Sequence, residues 1–136
     1  MEEARKEPVT VLLVVINIAV FLLVEFTGFS QDIEHMIKWG AVYPPLITEK
    51  GEVYRLFTSM FLHFGIEHLV NNMLVLFVLG SRLERVVGKW RFLFIYLAGG
   101  LLGNIISLTA GLSKNSYTVW CSIWGNGSYD FCSDTK

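Results

Sequence analysis

The sequence predicts an all-α fold, a polytopic helical bundle set in a membrane, and three observations carry that reading. Of its 136 residues 53% are hydrophobic and only 17% charged, with a mean hydropathy of +0.50; a soluble domain runs nearer a quarter charged. Three apolar stretches, about 9–26, 66–83 and 92–112, each approach the roughly 20 residues that a helix needs to cross the hydrocarbon core. Histidine, amide and carboxylate side chains lie within or beside them, and polar groups buried in lipid are costly and usually functional. The net charge of −1 and the absence of a basic block speak against nucleic acid as a partner. The lipid bilayer is the partner that the composition implies.

In chain order, residues 1–8 form a charged tail whose Pro8 suits the first turn of a helix. Residues 9–26 follow as the first span, too long for the apolar core of a signal peptide and without its small-residue end. Asn17 falls in mid-span, where its amide can bond a neighbouring helix or be a polar group tolerated in the packing, the plainer expectation. Residues 27–57 change character, with Pro44, Pro45, Gly51 and charges of both signs. A loop of this length is expected to carry structure of its own and to lie in the membrane interface, where Trp39, Tyr43 and Tyr54 suit the headgroup level. The third span, 92–112, contains no charged residue, and Gly99 and Gly103 stand one helical turn apart, so that a neighbour can approach its backbone closely. Between spans two and three, residues 81–91 hold Arg82, Arg85, Lys89 and Arg91, whereas the longer first loop holds Lys38, Lys50 and Arg55. By the positive-inside rule the denser loop and the N-terminus face the cytoplasm, and the first loop and the C-terminal tail face outward.

The chemistry is concentrated between Tyr54 and Gly88. His68 and Asn72 are one turn apart and share a helix face, and His63 precedes them. Such donors can stabilise an oxyanion in a site sheltered from water; on spacing alone they equally suit hydrogen bonds to backbone of the long loop. A bis-histidine haem site is disfavoured, because residues five apart on one helix diverge by about 140°. Cys121 and Cys132 form no CxxC and have no histidine beside them, which argues against a metal site and gives little support to a disulfide.

Arg55-Leu56-Phe57-Thr58-Ser59, Phe61-Leu62-His63, His68, Asn72, Leu79-Gly80, Glu84, Gly88, Arg91-Phe92, Tyr96, Gly99 and Gly103-Asn104, taken in register, resemble the rhomboid intramembrane serine proteases over roughly residues 9–112. Tyr54 stands where that family usually has Trp. The resemblance implies a rhomboid-like bundle of six core helices, of which the chain supplies the first three, with no cofactor and with transmembrane proteins as substrates or partners. It implies His68 and Asn72 as oxyanion-hole residues and His63, Arg55, Glu84, Gly99 and Gly103 as structural positions. The family's fourth helix begins with a Gly-x-Ser-Gly nucleophile and its sixth carries the histidine base; this chain reads Trp120-Cys121-Ser122-Ile123-Trp124-Gly125 beyond Val119, and no histidine follows His68. No catalytic residue is assigned: Ser122 and Ser128 lack both the motif and a base, and a serine without a positioned base is a weak nucleophile.

Residues 113–136 differ in character from all that precedes, and two accounts stand open, a genuinely divergent C-terminus and a shifted reading frame. Dropping the first base of the Trp120 codon forces Gly, then Ala or Val, then a variable residue, then Ser, Phe or Tyr, then Gly. That permits Gly-Ala-x-Ser-Gly. Asn126, Tyr129, Asp130, Phe131, Cys132 and Asp134 have codons ending in a pyrimidine, which in the shifted frame becomes the second base and encodes apolar or small residues, Ser or Thr. The expectation is a rhomboid-family membrane protein with the oxyanion half of a protease site and no cleavage by this chain alone. The alternatives are a pseudoprotease that binds membrane helices of partners and a small structural membrane subunit.

Overall fold

The computed structural model describes residues 6–113. They are organised as α1 (Pro8–Thr27), α2 (Ile33–Lys38), α3 (Pro44–Lys50), α4 (Arg55–Thr58), α5 (Ile66–Val75), α6 (Ser81–Val87) and α7 (Lys89–Ser113). A 3₁₀ turn, Ser59–Phe61, continues α4, and a π-helical turn, Leu76–Gly80, joins α5 to α6. The long helical stretches are 8–27, 66–87 and 89–113, and the short helices α2, α3 and α4 lie between the first two of them. Among the described residues α1 passes as a span by length and composition, and Arg55–Phe61 with Ile66–Val87 passes as a second when the pair, bent by 88°, is taken together.

Pro8 occupies the first turn of α1, where its missing N–H costs nothing. The helix buries Thr10, Leu13, Asn17, Phe21 and Val24, residues three and four apart that form one stripe. Val11, Leu12, Val15, Leu22 and Leu23 remain exposed on its other sides. Glu7, which precedes α1, gives its N-terminus no side-chain cap. Glu84 does so from α6: its buried carboxylate accepts from the Val9 N–H at 3.0 Å, the Thr10 N–H at 2.8 Å and the Thr10 hydroxyl at 2.7 Å. Asn17 bonds within and across helices, its amide donating to the Leu13 carbonyl at 2.7 Å and to the Tyr96 hydroxyl at 3.4 Å.

At the other end of α1 the long loop folds back over it. Val24, Met36, Ala41 and Leu62 form a buried cluster with Val20, Trp39 and Phe64 against it. The His35 Nε2 reaches the Val24 carbonyl at 2.9 Å. Arg55, itself buried, donates to the Ile37 carbonyl at 2.5 Å and the Ala41 carbonyl at 3.2 Å and pairs with Glu52 at 2.7 Å. A buried guanidinium needs such partners to offset its desolvation, and here they tie α4 to the loop.

Gly99 and Gly103 are half-buried; beside them Gly100 is buried, and a Cβ there would run into the Met60 side chain. Asn104, one turn on, donates to the Leu56 carbonyl at 2.7 Å and to the Ser59 hydroxyl at 2.8 Å, fastening α7 to α4.

Candidate oxyanion site

The site is built where the chain turns from the α4 segment into α5. Leu62 is extended, and Gly65, with φ +84°, stands immediately before the first residue of α5. That left-handed backbone is open to glycine and strained for other residues. The turn separates His63 from the helix that carries His68, so the helical-wheel expectation that the two rings diverge does not hold. They meet edge to face, with centroids 5.3 Å apart.

His68 is half-buried, and its Nδ1 accepts from the Phe64 N–H at 3.3 Å. In the neutral ring this bond leaves the proton on Nε2, so that nitrogen is a donor, as an oxyanion contact requires. The hydrogen bond to backbone that the spacing also suited is thus made by one nitrogen of the ring. Asn72 is buried one turn further along α5. His63 is buried too, and its ring nitrogens lack a partner of good hydrogen-bond geometry. Burial first, and then the neighbouring His68, hold the His63 ring well below its ordinary value, at about 4, with the Phe61 backbone acting weakly the other way. His63, in the segment ahead of α5, is therefore neutral at physiological pH.

His63 and Asn72 border a cavity of about 60 Å³ that runs down between α5, the π turn and α7 past Leu76, Gly80, Phe92 and Tyr96. Its mouth is polar and its length is apolar. The π turn widens the helix beside it, and such turns recur at functional sites. Glu84 and Arg55 serve the packing roles described above. Sequence reasoning assigned no role to Asn104, Thr10 or Tyr96; each is half of a polar pair whose other member lies far off in the chain, and neither hydropathy nor period marks such a pair.

A helical bundle with apolar spans and a sheltered histidine–asparagine pair at the head of a broken helix defines an integral membrane protein with hydrogen-bond donors held at one end. The profile of the Rhomboid domain family matches residues 50–127, and the chain belongs to this family, whose members are intramembrane serine proteases. It is 42% identical over 102 residues to "Rhomboid protease GluP" of Bacillus subtilis, a match covering 75% of the chain and 20% of that protein. It is 37% identical over 92 residues to "Rhomboid-like protease 1" of Toxoplasma gondii, covering 68% of the chain and 31% of that protein. "Rhomboid protease GlpG" of Pectobacterium atrosepticum is 27% identical over 122 residues, 90% of the chain and 37% of that protein. The chain thus spans about a fifth to a third of the length of its relatives, or little more.

Proposed function

We propose that the chain carries the oxyanion-binding half of an intramembrane serine protease site and does not cleave peptide bonds by itself. The observation that carries this is the His68 Nδ1 bond to the Phe64 backbone, which leaves an Nε2–H donor one helical turn from buried Asn72 at the mouth of the cavity. Donors held in a water-poor site are worth most where negative charge develops on a carbonyl oxygen. The chain has three histidines, His35, His63 and His68, and no Gly-x-Ser-Gly segment. With neither nucleophile nor base, the residual stabilisation that donors alone supply is several powers of ten below a complete site. The reading assigns His68 and Asn72 to the oxyanion hole and His63, Arg55, Glu84, Gly99 and Gly103 to the frame, with transmembrane proteins as substrates of the complete site. Residues 113–136 lie largely outside the described part, and we read them as a shifted frame of the segment that would bring the nucleophile.

The test incubates the purified chain in vesicles with a model transmembrane substrate and a serine-directed phosphonate label. No cleavage and no labelling are expected, and either one refutes the proposal. Reading the gene's nucleotides tests the account of the tail: polar codons or early stops in the shifted frame beyond Val119 would remove it. The apolar length of the cavity favours a second reading, a non-catalytic protein that binds a partner's transmembrane helix. Crosslinking from Leu79 to such a helix without cleavage would support it.

A further inference from the structure

We propose that the cationic turn between α6 and α7 is a binding site for the headgroup of an anionic phospholipid. The turn is as short as a helix break can be. The Gly88 N–H donates to the Glu84 carbonyl and the Phe92 N–H to the Gly88 carbonyl, both at 2.9 Å, so one residue ends one helix and begins the next. Arg82, Arg85, Lys89 and Arg91 are thereby held at a single edge of the molecule, all exposed. The local carboxylates are committed elsewhere: Glu84 is buried and caps α1, and Glu7 pairs with Arg85. Among the described residues no salt bridge neutralises Arg82, Lys89 or Arg91.

Two further observations select the ligand. The first turn of α7 contains no acidic residue and includes Lys89 and Arg91, although the helix dipole disfavours cations there. The cluster is self-repelling until an anion joins it. Beside it Val86, Trp90 and Phe94 are exposed at 81%, 72% and 72%, and Lys89 Nζ lies 5.5 Å from the centre of the Trp90 ring. A tryptophan among cations at the end of an apolar helix is the composition of a membrane interface. A soluble anion would satisfy the cations and leave the apolar ridge wet. A phospholipid satisfies both, its phosphodiester at Arg82, Lys89 and Arg91 and its acyl chains along Val86, Trp90 and Phe94.

The experiment places the purified full chain in nanodiscs of phosphatidylcholine with or without phosphatidylglycerol and counts retained lipids by native mass spectrometry. Retention of phosphatidylglycerol over phosphatidylcholine is expected in the unaltered chain. The double variant Lys89→Gln, Arg91→Gln should bind it about thirtyfold more weakly, roughly fivefold per cation near an anionic surface. The exchange Lys89→Arg, Arg91→Lys should retain binding, as should Lys38→Gln, Lys50→Gln in the first loop. Equal retention of both lipids by the unaltered chain overturns the proposal without recourse to any variant. So does undiminished binding by the Lys89→Gln, Arg91→Gln chain, an equal loss in the loop variant, or full displacement of the lipid by inorganic phosphate.

Discussion

Glu84 lies 74 residues from the helix it caps, and its three hydrogen bonds set the start of α1 against the end of α6. Bonds to a charged acceptor contribute about 1.5–3 kcal/mol each, and their loss leaves buried N–H groups unsatisfied. Glu84→Ala should lower unfolding stability by about 3 kcal/mol, measured by chemical denaturation in mixed micelles, with Glu84→Gln intermediate because one oxygen can still accept. An unchanged midpoint for the alanine variant would remove the capping role. His63 supplies a pH dependence. Its folded value of about 4 lies below the ordinary 6.5, so the unfolded chain takes up a proton that the folded chain refuses. The contribution is complete above about pH 6.5 and is lost as pH falls towards about 4, on the order of 3 kcal/mol over that window. Denaturation of the parent and of His63→Gln at neutral pH and at about pH 5 isolates it: the stability gap between them should narrow in acid.

At the scale of elements, two contacts decide how the helices meet. Gly65 holds φ +84°, and a Cβ there would lie 3.0 Å from the Gln31 Nε2. Left-handed backbone costs a residue with a side chain roughly 1–2 kcal/mol, so Gly65→Ala should destabilise by about that amount and change the spacing of His63 and His68, read from the imidazole NMR shifts of both. Gly100 is different, since the obstacle is the flexible end of Met60. Overpacking of this kind costs about 1–3 kcal/mol; Gly100→Val should be destabilising, and Met60→Ala in the same chain should recover part of the loss by making room. These elements also show what was legible beforehand. Pro8 marks the start of α1 locally, and the uncharged run of 92–112 falls within α7. The π turn at 76–80 has no local signature, because an extra backbone residue per turn leaves the hydropathy of Leu76–Gly80 unchanged. The meeting of His63 and His68 was missed because a wheel drawn through both assumes a continuous helix, while Gly65 breaks it. Of the candidate site, the one-turn separation of His68 and Asn72 on a helix could be read from their spacing, but the Phe64 N–H that orients the His68 ring could not, since it depends on how the chain enters α5.

For the whole molecule, orientation follows from where the charges are held. The turn at Gly88 gathers Arg82, Arg85, Lys89 and Arg91, and the N-terminus joins the same end through Glu84 and through the pairing of Glu7 with Arg85. The long loop is fastened to the opposite end of α1 by His35 and Arg55, and its own cations, Lys38 and Lys50, are more widely spaced. A dense cationic loop is retained in the cytoplasm at insertion, which would place the stretch of α5 bearing His68 and Asn72 towards the outer face. Substituted-cysteine labelling reads this directly, with Cys121 and Cys132 first replaced by serine. An impermeant maleimide should modify Glu49→Cys in intact cells and Arg82→Cys only after permeabilisation. The reverse pattern would turn the molecule over. Labelling of both positions in intact cells would mean that α1 and the α5–α6 stretch do not both cross.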